Sequence, residues 1–263
     1  MKRYLTVLSS FIIMLCIGSV YSWSVIASEL ADSYGFTSSQ SQLIFGMVIA
    51  VFPTTMIFVG QLSKLIRTKY FGYISGILFL SGYYLASLSK GDFFLILLGI
   101  GILAGVGTGF GYWTSLTSSV KWFPKKKGLI TGVAAAGFGL GAVFMSNISE
   151  KLLLKGYDIL ALLRVIGVSY GVIILFFSGL IFKTNLYNEI IEKPIKLISF
   201  ITQSVFIKLF FGIFQGTFSG LLIIGSLAVI GDGYQMSNHT LVLGVSLFAI
   251  ANFLGRLIWG FVS

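Results

Sequence analysis

Read for charge alone, the chain breaks into long apolar stretches without Asp, Glu, Lys or Arg: residues 4–28, 33–63, 70–89, 93–120, 128–149, 165–182, 209–231 and 233–255. A helix needs about 18 such residues to cross the hydrocarbon core of a bilayer, where only its own hydrogen bonds can satisfy the backbone. Each stretch is near or above that length, so the pattern predicts an all-α, polytopic membrane protein of about eight transmembrane helices. The first stretch follows Lys2 and Arg3, as a signal peptide would. It is too long for a signal core of roughly 7 to 15 residues and reads as a retained span.

Composition agrees with the pattern and narrows it. Hydrophobic residues make up 56% of the 263 and charged residues 10%, whereas about a quarter of a soluble protein is charged. A single cysteine, Cys16, excludes a disulfide framework and a Cys-rich metal site. It reads as a small apolar residue of the first helix. The net charge of +10 is scattered between the spans, which argues for membrane topology and against a nucleic-acid partner. With the amino terminus in the cytoplasm, thirteen Lys and Arg fall inside and only Lys90, Lys151, Lys155 and Arg164 outside, leaving Arg256 apart. That positive-inside bias predicts cytoplasmic termini and a multi-pass protein of the plasma membrane. No Ser/His/Asp set, metal-ligand cluster or phosphate loop is placed to work, so an enzyme is a poor reading and no cofactor or metal is expected.

Glycine is unevenly spread: eleven of 32 lie in residues 99–141. Inside a water-soluble helix each costs about 1 kcal/mol against alanine, whereas in a membrane glycine lets two backbones touch. Gly105, Gly107, Gly109 and Gly111 on the fourth span, and the GxxxG pair Gly137 and Gly141 on the fifth, are read as helix-packing residues. No strand precedes the run, so dinucleotide binding is rejected.

Several polar and aromatic residues have two readings. Tyr21-Ser22-Trp23-Ser24, at the outer end of a first helix over 4–27, is either an interfacial aromatic belt or, with Tyr21 and Ser24 on one face, a cavity lining. Gln42, sharing a face with Phe45, either caps the second helix or lines the same cavity. The Tyr112 hydroxyl needs a partner, a side chain or a substrate, and Phe138 lies between glycines that leave it open space. The single histidine, His239, reads as a helix-start residue. Residues 183–208, with Ile190, Ile191, Pro194 and Ile195, read as a partly amphipathic cytoplasmic linker.

Arg256 carries the most information. It lies seven residues before the end of the chain, about 10 Å into the last helix at 1.5 Å per residue. Either it snorkels to the surface or it faces a cavity, since an arginine in a span costs about 2.5 to 3.5 kcal/mol on insertion scales. No acidic residue lies within any of the charge-free spans to neutralise it. A permanently charged, planar fork of donors suits a carboxylate or phosphate, so the sequence points to anion binding.

The chain resembles the major facilitator superfamily, in its oxalate-formate antiporter and monocarboxylate transporter branch. The residues that carry the likeness are Tyr21-Ser22-Trp23, the run from Gly105 through Tyr112 to Trp122-Phe123-Pro124-Lys125-Lys126-Lys127, the block 136–141 and the terminal block from Asn252 through Arg256 to Ser263. The resemblance implies a partial major facilitator fold: an amino-terminal six-helix half over 1–182, the linker 183–208, and an incomplete second half over 209–263. It implies a secondary carrier of a small organic anion, monomeric in the lipid bilayer, shortened after the eighth helix, with alternating access by rocking halves. Arg256 would hold a substrate carboxylate, while Tyr21, Tyr112, Phe138, Gln42 and Phe45 would line the cavity. Lys64 stands where the superfamily's motif between helices 2 and 3 has an aspartate, which puts the gating contacts of that motif in doubt. Asn252 stands where proton-coupled carriers have an acid, which favours exchange over proton symport. A non-transporting sensor or an inactive remnant is the competing reading.

Overall fold

The computed structural model of the protein describes residues 1–184 and 197–262. Most of the expected amphipathic linker, with Ile190, Ile191, Pro194 and Ile195, lies outside the described residues. The long helices are α1 (Lys2–Tyr34), α2 (Ser38–Leu62), α3 (Thr68–Ser87), α4 (Phe93–Trp122), α5 (Lys127–Leu154), α6 (Ile159–Gly179), α7 (Ser204–Gly233) and α8 (Asn238–Val262). A five-residue helix, Leu197–Ile201, precedes α7, which starts at Ser204, five residues before the expected start of the second half at 209. No strand occurs among the described residues.

Seven of the eight are long and apolar enough to cross a membrane; α3 is the exception. It is 20 residues long, but tyrosines, serines and glycines dilute its hydropathy. A count based on missing charge is blind to that dilution. The burial of α3 explains why it tolerates polar residues: Phe71, Ser75, Phe79, Tyr83 and Ala86 are all buried, and its glycines sit directly against α4 and α6.

Helix starts follow local chemistry. Thr37 and Gln40 form a reciprocal capping box at α2, with N···O distances of 3.2 and 2.9 Å. Asp92 and Asp158 accept from the amides of Leu95 and Ala161 at the starts of α4 and α6. Gly35, at φ 68°, ends α1 in the left-handed conformation that glycine adopts without strain.

The first helix departs from the sequence expectation. It does not stop at residue 27 but continues to Tyr34, and its middle tightens into a 3-10 turn over Gly18–Ser22. Glu29 and Asp32 are consequently helical, not in a loop. Tyr21-Ser22-Trp23-Ser24 therefore lies within the helix and not at its end. Trp23 is 1% exposed and donates its indole N–H to the Ser41 carbonyl at 3.0 Å, which rules out a place for its ring in an interfacial belt.

The alternating glycines of α4 work in two directions. Residues two apart on a helix lie about 200° apart at 3.6 residues per turn, so a run of alternating glycines lays a small-residue strip on each of two opposite faces. Gly105 and Gly109 lie against Val48, Val51, Phe52 and Thr55 of α2, whereas Gly107 and Gly111 lie against Ser75 and Phe79 of α3 and Ile17 of α1. On α5, Gly137 and Gly141 meet the backbone of α1 at Phe11 and Leu15, while Gly132 and Gly139 meet α8. A β-carbon at any of Gly109, Gly132, Gly137 or Gly141 would overlap a neighbouring backbone.

Contacts along α8 show it lying antiparallel to α5. His239 meets Glu150, Ser246 meets Ser146 and Asn147, Asn252 meets Gly139, and Gly260 meets Gly132. By contrast α7 is the least covered of the spanning helices, with 6% of its most apolar window buried.

Candidate functional site

The α5–α8 seam sets the site. Close approach at Gly132 and Gly139 presses α8 onto α5, and the next turn of α8 carries Arg256 into the interior of the helix bundle. Its Nε donates to Asn252 Oδ1, one turn back on α8, at 2.7 Å. Its Nη1 faces the Tyr112 hydroxyl of α4 and its Nη2 the Tyr21 hydroxyl of α1, both at 3.5 Å. These two contacts are at the outer limit of hydrogen bonding and weak. The guanidinium carbon lies 5.8 Å from the centre of the Phe138 ring of α5, within the range of a cation–π attraction.

Five helices thus supply one cluster. The Phe138 ring meets Tyr21 at 4.9 Å and 86°, and Tyr112 at 5.2 Å and 77°, both edge-to-face, an arrangement that ring quadrupoles favour. Phe138 is 1% exposed, and a backbone contact between Gly18 and Phe138 holds α1 against this part of α5. Phe52 of α2 closes the cluster, 5.8 Å from Tyr112 and 6.2 Å from Phe138. Beside Tyr21, a void of about 10 Å³ lined by Ala142, Leu227 and Ala249 has room for no more than one water. The rings themselves pack against each other.

Among the described residues no carboxylate pairs with Arg256. Its visible partners are an amide oxygen, two hydroxyls and a ring face, all neutral. A charge left in that state keeps most of its attraction for an incoming anion, and its Nη groups offer donors in a plane.

Of the sequence candidates, Arg256, Tyr21, Tyr112 and Phe138 come together, and Gln42 and Phe45 serve another contact. The Gln42 amide donates to the Gly225 carbonyl of α7 at 2.7 Å, and the Phe45 ring packs against the same glycine. Ser24, paired with Tyr21 in the sequence reading, is buried with no partner for its hydroxyl among the described residues. His239 starts α8 and lies 3.1 Å from Glu150. Phe52 was missed, since one phenylalanine among 25 carries no signal of its own. Asn252 was noticed for what it is not, an acid; its bond to Arg256 was legible in the i, i+4 spacing.

Buried small-residue seams, spanning helices and an arginine set among aromatic rings from other helices define a multi-pass helical membrane protein with a partial two-halved carrier fold. The chain belongs to the major facilitator superfamily, whose family model matches residues 6–263. It is 29% identical over 273 aligned residues to an uncharacterised transporter of that superfamily from Escherichia coli K12, covering 99% of this chain and 66% of the relative. It is 26% identical to the oxalate:formate antiporter of Oxalobacter formigenes, over 100% of this chain and 63% of the relative. A shorter likeness, 27% over 62% of this chain and 32% of the relative, is to monocarboxylate transporter 9 of Rattus norvegicus. The chain thus spans about two-thirds of the length of the first two.

Proposed function

We propose that this chain binds and carries a small organic anion, a mono- or dicarboxylate, as part of a secondary active transporter working by alternating access. The observation that supports this best is Arg256: a guanidinium inside the bundle, held by neutral groups from α1, α4, α5 and α8, with no carboxylate paired to it among the described residues. The carboxylate of the cargo supplies the missing charge, and Tyr21 and Tyr112 turn their hydroxyls to donate to it. The names of the oxalate:formate antiporter and the monocarboxylate transporter point to the same class of cargo. With Asn252 in place of an acid beside Arg256, the carrier exchanges anions and does not couple them to protons. It sits in the plasma membrane as a monomer, amino terminus inside.

The test is uptake by the chain reconstituted in liposomes preloaded with unlabelled oxalate. Labelled oxalate, formate and lactate are offered outside, and uptake by the intact chain is expected to fall at least tenfold in Arg256→Ala, the loss of charge-assisted hydrogen bonds. Uptake that survives this substitution sinks the anion site. A second reading is a membrane sensor or inactive remnant that does not transport, which the sparse covering of α7 fits. It predicts no uptake.

A further inference from the structure

Resting on the reading of Arg256 as the anion site, we infer that Asn252 is a positioning residue that dictates how the anion is gripped, allowing one carboxylate group, end-on. An arginine can hold a carboxylate side-on, through Nε and one Nη, or end-on, through both Nη groups. Here the Nε–H is already given to Asn252 Oδ1 at 2.7 Å, the shortest contact the guanidinium makes. Side-on binding is therefore blocked, and the Nη1–Nη2 edge is what remains. That edge is flanked by the hydroxyls of Tyr112 and Tyr21, one beside each Nη. A hydroxyl can accept from an Nη–H and donate to an oxygen at once. Each oxygen of one carboxylate then receives one N–H and one O–H, which fills its lone pairs. The cradle is complete with a single carboxylate, and a second carboxyl group of any cargo must lie beyond it.

A second observation shows that Asn252 is itself held in place. Its Oδ1 lies in a notch at Gly139 of α5, where a β-carbon would come within 2.7 Å of it. The absent side chain at 139 thus leaves the room that Asn252 needs to face the Nε of Arg256. This gives Gly139 a task separate from the approach of the two backbones. Both residues act through Arg256, and neither needs to touch the anion.

The experiment uses the full chain in detergent with formate as the probe, read by equilibrium binding of labelled formate and by the ¹⁵N resonances of the Arg256 side chain, assigned by their loss in Arg256→Ala. Formate is expected to shift the Nη signals and leave Nε unmoved. Asn252→Ala should weaken formate binding about tenfold, the loss of one hydrogen bond to a charged group, and let Nε respond to formate. Gly139→Ala should do the same in weaker form. Asn252→Asp, close to isosteric and so a safeguard if the alanine variant does not fold, should weaken binding at least tenfold at neutral pH, because the introduced carboxylate takes Nε and offsets the charge, and binding should recover as acid protonates it. If the intact chain binds formate and Nε follows it, or if Asn252→Ala and Asn252→Asp bind as well as the intact chain, this inference fails while the anion site stands. If the intact chain binds no formate, or Arg256→Ala binds it undiminished, both fail.

Discussion

The same motif has opposite fates in α5 and α7. On α5, Gly137 and Gly141 are four apart and each is pressed against the backbone of α1, with no room for a β-carbon. On α7, Gly212, Gly216 and Gly220 have the same spacing over about two turns, and a β-carbon at any of them would meet nothing within 4 Å among the described residues. The phenylalanines of α7 likewise stack along their own helix, Phe206 on Phe210, Phe210 on Phe214 and Phe214 on Phe218, with centroids 6.3, 6.3 and 5.9 Å apart. Small residues at a four-residue interval allow a helix to approach. Whether one does is decided by what else both helices must touch.

That contrast can be broken by substitution. The largest effect is expected for Gly141→Leu, where a branched side chain must displace the α1 backbone at Leu15 and Gly18; overpacking of this kind costs about 3 kcal/mol or more. Thermal unfolding in detergent should show a clear fall in midpoint, and an unchanged midpoint would mean that the seam between α1 and α5 is loose. Next is Trp23→Phe, which keeps an aromatic ring but removes the indole N–H given to the Ser41 carbonyl, a loss of about 1 kcal/mol. The same unfolding assay detects it as a smaller fall. The smallest effect is expected for Gly216→Ala on α7, where the open face leaves only the helix propensity gain, up to about 1 kcal/mol, to act. A midpoint equal to or slightly above that of the intact chain is expected. A fall would show that Gly216 has a close neighbour, and the contrast with α5 would disappear.

Much of the architecture was legible along the chain. Charge-free runs located the spans, because a bilayer penalises charge whatever the helices do with each other. The caps at Thr37, Asp92 and Asp158 were written locally, in side chains that reach amides only three residues away. The middle of α1 was misread, since the tightening at Gly18–Ser22 comes with its contact against α5 and leaves no charged residue or proline in the sequence to mark it. The spacing of Gln42 and Phe45 was equally compatible with a cavity lining and a helix contact. The carbonyl of Gly225, 183 positions away, is beyond the reach of periodicity.

The boundary between sequence and structure therefore follows the range of the forces involved. Hydropathy, capping and the desolvation cost of Arg256 are properties of a residue and its immediate neighbours, and so the amino acids alone made this a helical membrane protein with an arginine inside one of its spans. That Arg256 meets Tyr21, Tyr112 and Phe138 depends on three other helices arriving at the same place. Packing is a property of pairs of surfaces, and the open glycines of α7 show that a surface by itself does not choose its partner.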